Sequence, residues 1–149
     1  MDNPLLAISP LDGRYHDKVD YLSQYFSEAA LMRYRCLIEI EWFIFLFNDV
    51  RLKGTKELKP TELRILRSIY EQFDVVDAQR IKEIEKITNH DVKAVEYLIK
   101  EKLKGGPIEG YTEFLHFACT SEDINNIAYS CMLRDFLERE LVTVLSGLV

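Results

Sequence analysis

Apolar positions recur along the chain at helical spacing, in stretches parted by short polar breaks. Ser27 is placed to cap a first helix running to about Asn48, with Glu28 in its first turn. Its later part, from Cys36 to Phe47, has 10 apolar residues out of 12, interrupted by Glu39 and Glu41. A helix apolar nearly all round belongs among other helices, and this run is too short to span a bilayer. A second helix is predicted from Thr61 to about Phe73, where Leu63, Leu66, Ile69, Tyr70 and Phe73 share one face. A third, from about Asp77 to Ile87, carries Ile81 and Ile84 on one side and Arg80, Lys82, Glu83, Glu85 and Lys86 around the rest. A fourth starts near Asn89, with Asn89 or Thr88 as its cap, and ends before Gly105, which suits a C-terminal stop. Its apolar side is Val92, Val95, Tyr97, Leu98 and Leu103.

The last helix starts at Thr120 or Ser121, where Thr120-x-x-Asp123 has the pattern of a capping box. Ile124, Ile127, Ala128, Cys131, Leu133, Phe136, Leu137 and Leu141 support it, with no stop before Gly147. Pro4 to Tyr15 reads as irregular, with Pro10 and Asp12-Gly13 as turn signals, and Gly54, Pro60 and Gly105-Gly106-Pro107 mark later breaks. No convincing strand pair occurs, so the expected fold class is all-α.

Composition narrows the function. A chain of 149 residues suits a single core. Acidic residues outnumber basic ones by 25 to 19, a net charge of −6. That argues against nucleic acid, which needs a basic face, and against an anionic membrane. The opening Met1-Asp2-Asn3-Pro4 lacks the basic run of a signal peptide. Cys36, Cys119 and Cys131 are odd in number and lack C-x-x-C spacing, so they read as reduced thiols of a cytoplasmic protein.

Three polar segments sit where the helical pattern breaks. In Ser9-Pro-Leu-Asp-Gly-Arg-Tyr15, Arg14 offers a guanidinium fork for phosphate or carboxylate and Tyr15 a hydroxyl; an Arg in a turn is also an ordinary surface residue. In Thr88-Asn-His-Asp-Val-Lys93, His90 and Asp91 fall in the first turn of a helix, whose free N–H groups favour anions. In His116-Phe-Ala-Cys-Thr-Ser-Glu-Asp123, Thr120 and Ser121 open a helix and together suit a carboxylate. Both helix starts are equally what plain caps would use. His116 and Cys119 have metal-pair spacing, but two ligands make no site. His16 has no partner pattern and reads as a surface residue. No glycine-rich phosphate loop and no G-x-S-x-G occurs, so a bound nucleotide would rest on Arg and helix ends.

Together with Arg80-Ile-Lys-x-Ile-Glu85, the matching stretches Ser9 to Tyr15, Thr88 to Tyr97 and Phe114 to Asn126 resemble the adenylosuccinate lyase family of the fumarase/aspartase superfamily, in its bacterial branch. The resemblance covers essentially the whole chain. It implies a cofactor-free, metal-free β-elimination that releases fumarate from adenylosuccinate, leaving AMP, and from the succinylated carboxamide intermediate (SAICAR) of purine biosynthesis. By family analogy Arg14 and Tyr15 bind the substrate phosphate. Asn89, His90 and Asp91 contact the nucleotide, with His90 near the reacting end as an auxiliary. Thr120 and Ser121 hold a succinyl carboxylate, since a cap can serve fold and ligand at once.

The family's enzymes are cytoplasmic homotetramers whose sites draw on more than one subunit. Their chains are longer and complete the site with a T-H-x-Q-P segment and a serine loop, S-S-x-M-P-x-K-x-N-P, neither of which occurs here. Residues 1–119 are therefore expected to form the N-terminal helical domain and 120–149 the opening of the central bundle. The apolar end Val142 to Val149 then reads as a truncation rather than a segment packed back on its own core. The chain alone is expected to be inactive. Two other readings differ in function: a helical interaction domain that kept the fold and lost the chemistry, and a superfamily member acting on argininosuccinate or malate. The Ser9 to Tyr15 pattern speaks for the purine branch against the latter.

Overall fold

The computed structural model describes residues 4–148. Met1 to Asn3, on which the leader argument rests, and Val149, the last residue of the apolar tail, lie outside the described residues. Among the described residues every regular element is helical, so the expected all-α class holds. A 3-10 turn at Pro4–Leu6 leads to α1 (His16–Val19), a 3-10 turn at Asp20–Leu22 and α2 (Ser23–Phe26). Then come α3 (Glu28–Phe45), α4 (Pro60–Glu71), α5 (Val75–Thr88), α6 (Asp91–Leu103), α7 (Ser121–Phe136) and α8 (Val142–Ser146).

The boundaries follow local chemistry. The Ser27 hydroxyl accepts from the Ala30 N–H and starts α3 as expected. The helix does not stay α-helical to Asn48: a π turn at Leu46–Val50 ends it, and Arg51 turns left-handed. Pro60 takes the first position of α4, where its missing N–H costs nothing. The third helix begins earlier than predicted, at Val75, because Asp74 accepts from the N–H groups of Val76 and Asp77. Val75 and Val76 are exposed, so apolar periodicity gave no sign of that start. Asn89, expected as a cap, instead adopts a left-handed conformation that closes α5, and His90 caps α6. Thr120 caps α7, and the capping box with Asp123 is present as predicted. The short helices of residues 16–26 and a 3-10 segment at Glu109–Phe114 carry no sequence periodicity long enough to announce them.

α3 is the hub, packing on α2, α4, α5, α6 and α7, while α5 and α6 fold back on one another across the Asn89-His90 link. One core gathers Ile40, Phe43, Phe47, Leu66, Ile81, Ile99, Leu103 and Ile108. Phe43 stacks on Phe47 at 4.2 Å, and Tyr111 and Phe114 meet Phe47 edge-on. Each fully buried side chain of this size stabilises the fold by about 1.5–3 kcal/mol. A second core of Tyr34, Ile38, Val92, Ile124, Ala128 and Met132 joins α3 to the start of α6 and to the length of α7. Tyr97, Ile127 and Leu133, expected on apolar faces, are exposed; in α7 Ile124 and Ala128 are buried as expected, and Met132 joins them. No helix among the described residues is long and apolar enough to cross a membrane.

Several carboxylates are held in their charged form. Arg67 binds Glu41 through two nitrogens at 2.8 and 3.0 Å and holds it below the usual carboxylate range, helped by the Tyr70 hydroxyl. Lys56 and the Lys59 N–H do the same for Glu62. Because their folded pKa lies below the unfolded value of about 4.3, their stabilisation is complete above that pH and is lost as pH falls through the folded values. Burial raises Glu39 and works in the opposite sense, but Asp91, Glu101 and Asp135 join the lowered group. The urea unfolding midpoint is therefore expected to fall between about pH 6 and pH 3. A midpoint that held or rose on acidification would contradict this.

Candidate active site

The second and third polar segments meet. The link between α5 and α6 leaves His90 with extended backbone at the N-terminus of α6, where its Nδ1 accepts the Lys93 N–H at 3.2 Å. An accepting Nδ1 carries no proton, so the neutral imidazole bears its proton on Nε2. That nitrogen lies 3.5 Å from the Ser121 hydroxyl, in the first turn of α7. Two helix N-termini thus converge on one exposed mouth, each with free N–H groups and positive dipole ends. The Thr120 N–H and hydroxyl both engage Asp123, at 2.7 and 3.0 Å, and these bonds keep the Asp123 carboxyl low.

Asp91 opens α6 with its side chain about half exposed. Its Oδ2 accepts from Arg35 Nη2 at 2.7 Å, and its Oδ1 lies 3.8 Å from His90 Nδ1. Partial burial opposes ionisation of Asp91, but the Val92 N–H and the Arg35 charge outweigh it and hold the carboxyl low. Asn89 stands beside this pair with its backbone left-handed, and the Thr88 hydroxyl donates to the His90 carbonyl.

The first segment folds as a self-contained turn. The Tyr15 N–H donates to the Pro10 carbonyl at 2.8 Å, and the Ser9 hydroxyl donates to Asp12 at 3.1 Å. Arg14 and Tyr15 are both exposed, with the guanidinium 5.4 Å from the ring centre. Among the described residues no hydrogen bond or ion pair joins them to the other two segments. The structure therefore unites His90, Asp91, Thr120 and Ser121 and leaves Arg14 and Tyr15 apart.

Residues behind the mouth escaped the sequence reading. Arg35 and Glu39 are both buried on α3, one turn apart. Arg35 reaches Asp91 and Asn125, while Glu39 binds His116 Nδ1 at 2.6 Å and the His116 N–H at 3.0 Å. Burial pushes the Glu39 carboxyl up, and the bonds from His116 oppose that rise. The available signal was an opposite-charge pair four apart in a run otherwise nearly all apolar. His116 is thus taken up by Glu39, and among the described residues no three His, Cys, Asp or Glu side chains gather as a metal site. The surface histidine His16 lies 3.9 Å from Asp20.

Residues 13–149 match the family described as lyase. The chain is 50% identical over 143 residues to an adenylosuccinate lyase of Dictyostelium discoideum, covering 94% of this chain and 31% of that protein. It is 46% identical over 131 residues to the adenylosuccinate lyase of Escherichia coli K12, with 87% of this chain and 29% of that one covered. Against the adenylosuccinate lyase of Buchnera aphidicola subsp. Schizaphis graminum it is 45% identical over 134 residues, 89% and 29% of the two chains. The chain spans less than a third of the length of these curated relatives.

Proposed function

The chain belongs to the lyase family, and we propose that it forms the nucleotide- and succinyl-binding part of an adenylosuccinate lyase. The observation that carries this reading is the convergence of two helix N-termini, with His90 Nε2 and Ser121 Oγ 3.5 Å apart. Elimination α,β to a carboxylate builds negative charge on that group, and fixed N–H and hydroxyl donors lower the barrier. Ser121 holds the succinyl carboxylate, Thr120, whose N–H and hydroxyl are committed to Asp123, fixes the start of α7 beneath it, and the Nε2–H of His90 faces the same mouth. Asn89 and Asp91 contact the nucleotide, and Arg14 with Tyr15 takes its phosphate. Adenylosuccinate and SAICAR are the substrates, fumarate is the common product, and AMP is the second product from adenylosuccinate.

The separation of Arg14 from the mouth fits a site assembled between subunits, in which one copy supplies the phosphate grip and another the helix starts. The assembly is a cytoplasmic homotetramer, with residues 120–149 opening its helical bundle. These 149 residues hold neither the second histidine segment nor the serine loop of the family, so alone they do not turn over substrate.

Arg14→Ala tests the reading in the assembled enzyme. Loss of a charged hydrogen bond of about 1.5–3 kcal/mol should raise the KM for adenylosuccinate roughly 10- to 100-fold. Fumarate release followed by absorbance reads this out. An unchanged KM would remove Arg14 from the phosphate site, and an interaction domain would show no response to nucleotide at all.

A further inference from the structure

We propose that Arg35 is a positioning residue of this site, holding the starts of α6 and α7 in register by bonding Asp91 with one nitrogen and Asn125 with another. This deepens the lyase reading and rests on it. The three side chains come from distant parts of the chain. Arg35 lies in the middle of α3, Asp91 is the first residue of α6, and Asn125 lies in the second turn of α7. Arg35 Nη2 donates to Asp91 Oδ2 at 2.7 Å, and Nε donates to Asn125 Oδ1 at 2.9 Å. Asn125 in turn donates from Nδ2 to Glu122 Oε1 at 3.0 Å, which carries the link into the first turn of α7.

Arg35 is only 5% exposed, beside the core that contains Val92 of α6 and Ile124 of α7. A buried guanidinium is a poor device for stability alone, because an apolar side chain of similar size would serve the core as well or better. Its particular property is a rigid planar fork that can satisfy two acceptors at a fixed angle. Here the two acceptors stand on the two helices whose N-termini form the mouth. His90 precedes Asp91 directly, and Ser121 lies one turn before Asn125, so the fork sets the distance between His90 Nε2 and the Ser121 hydroxyl. The Asp91 oxygen that Arg35 does not hold is left facing the His90 side. Arg35 itself touches neither that imidazole nor the hydroxyl in any bond of the structure. Its effect on substrate must therefore pass through Asp91 and Asn125.

Arg35→Lys in the assembled enzyme keeps the charge and removes the fork, since one ammonium group cannot reproduce the Nε and Nη2 directions. The expected result is a native far-UV circular dichroism spectrum and a fall in kcat/KM of about 10- to 100-fold, the scale for a misplacement of about 1 Å. In an Asp91→Asn background Arg35→Lys should cost clearly less than it does in the wild type, because one of the two arms it removes is already lost. A merely structural Arg35 would lower the melting temperature, leave kcat/KM near wild type well below it, and combine additively with Asp91→Asn; that pattern overturns the proposal. Should Arg35→Lys fail to fold, Asn125→Ala removes one arm from a half-buried position and is expected to lower kcat/KM about tenfold. A folded Asn125→Ala enzyme with wild-type kcat/KM overturns the proposal equally. A wild-type enzyme that releases no fumarate would instead defeat the lyase reading itself.

Discussion

Glu39→Ala is expected to lower the unfolding free energy of the chain by about 3 kcal/mol, because it takes the buried acceptor away from both the His116 ring and the His116 N–H. Glu39 is fully buried, and each of its oxygens is committed to His116, one to the ring nitrogen and one to the backbone N–H. The segment it grips is strained: His116 and Ala118 both sit at φ 59°, a region that non-glycine residues visit at a cost. Trp42 adds a second clasp by donating from Nε1 to the Phe117 carbonyl at 2.8 Å. Without the carboxylate, a half-buried imidazole and an N–H lose their acceptor while the left-handed residues keep their strain.

Urea titration followed by the fluorescence of Trp42, the chain's single tryptophan, reports this turn directly. Glu41→Ala is the control. Glu41 has a bidentate arginine but is partly exposed, and such a pair contributes at most about 1 kcal/mol. Equal losses in the two variants would refute the special role given to Glu39. The same change loosens the segment that delivers Thr120 and Ser121, so affinity for a succinyl carboxylate should drop with stability.

The caps and the long amphipathic faces were legible in the sequence because their signals are local. Ser27, Thr120 with Asp123 and the stop at Gly105 each act within one helical turn, and all appear as read. His90 stood out in the sequence beside a helix start but was not readable as the cap, since that depended on Asn89 turning left-handed, a choice made by the backbone and not by periodicity. What the sequence concealed is contact between distant residues. Arg35 lies 56 residues from Asp91 and 90 from Asn125, and Glu39 lies 77 from His116. Glu39 looked like a charge breaking an apolar run, and Arg35 stands just before that run. Only packing of α3 against α6, α7 and the segment before α7 gives each its partner. Ile127 and Leu133 failed for a related reason: helical periodicity finds an apolar face but does not say whether this chain covers it.

His90→Asn is expected to reduce kcat in the assembled enzyme by about 100-fold or more while leaving the fold intact. Asparagine is among the best N-caps, so it can still accept the Lys93 N–H and keep α6 anchored. It has no ionisable nitrogen to stand where Nε2 faces the Ser121 hydroxyl. The substitution therefore separates the two duties of one residue. Alanine would not, because loss of the cap alone costs about 1 kcal/mol and shifts the helix start. A group that moves or steadies a proton in the transition state typically contributes about 10²- to 10⁴-fold. An auxiliary histidine belongs near the lower figure, with the larger share left to the segments that complete the site. Measured at saturating adenylosuccinate, kcat within about threefold of wild type would show that His90 only caps α6 and orients substrate. A large fall in kcat with KM little changed would place the imidazole in the transition state, because the lost interaction would then be one that the bound substrate does not yet make.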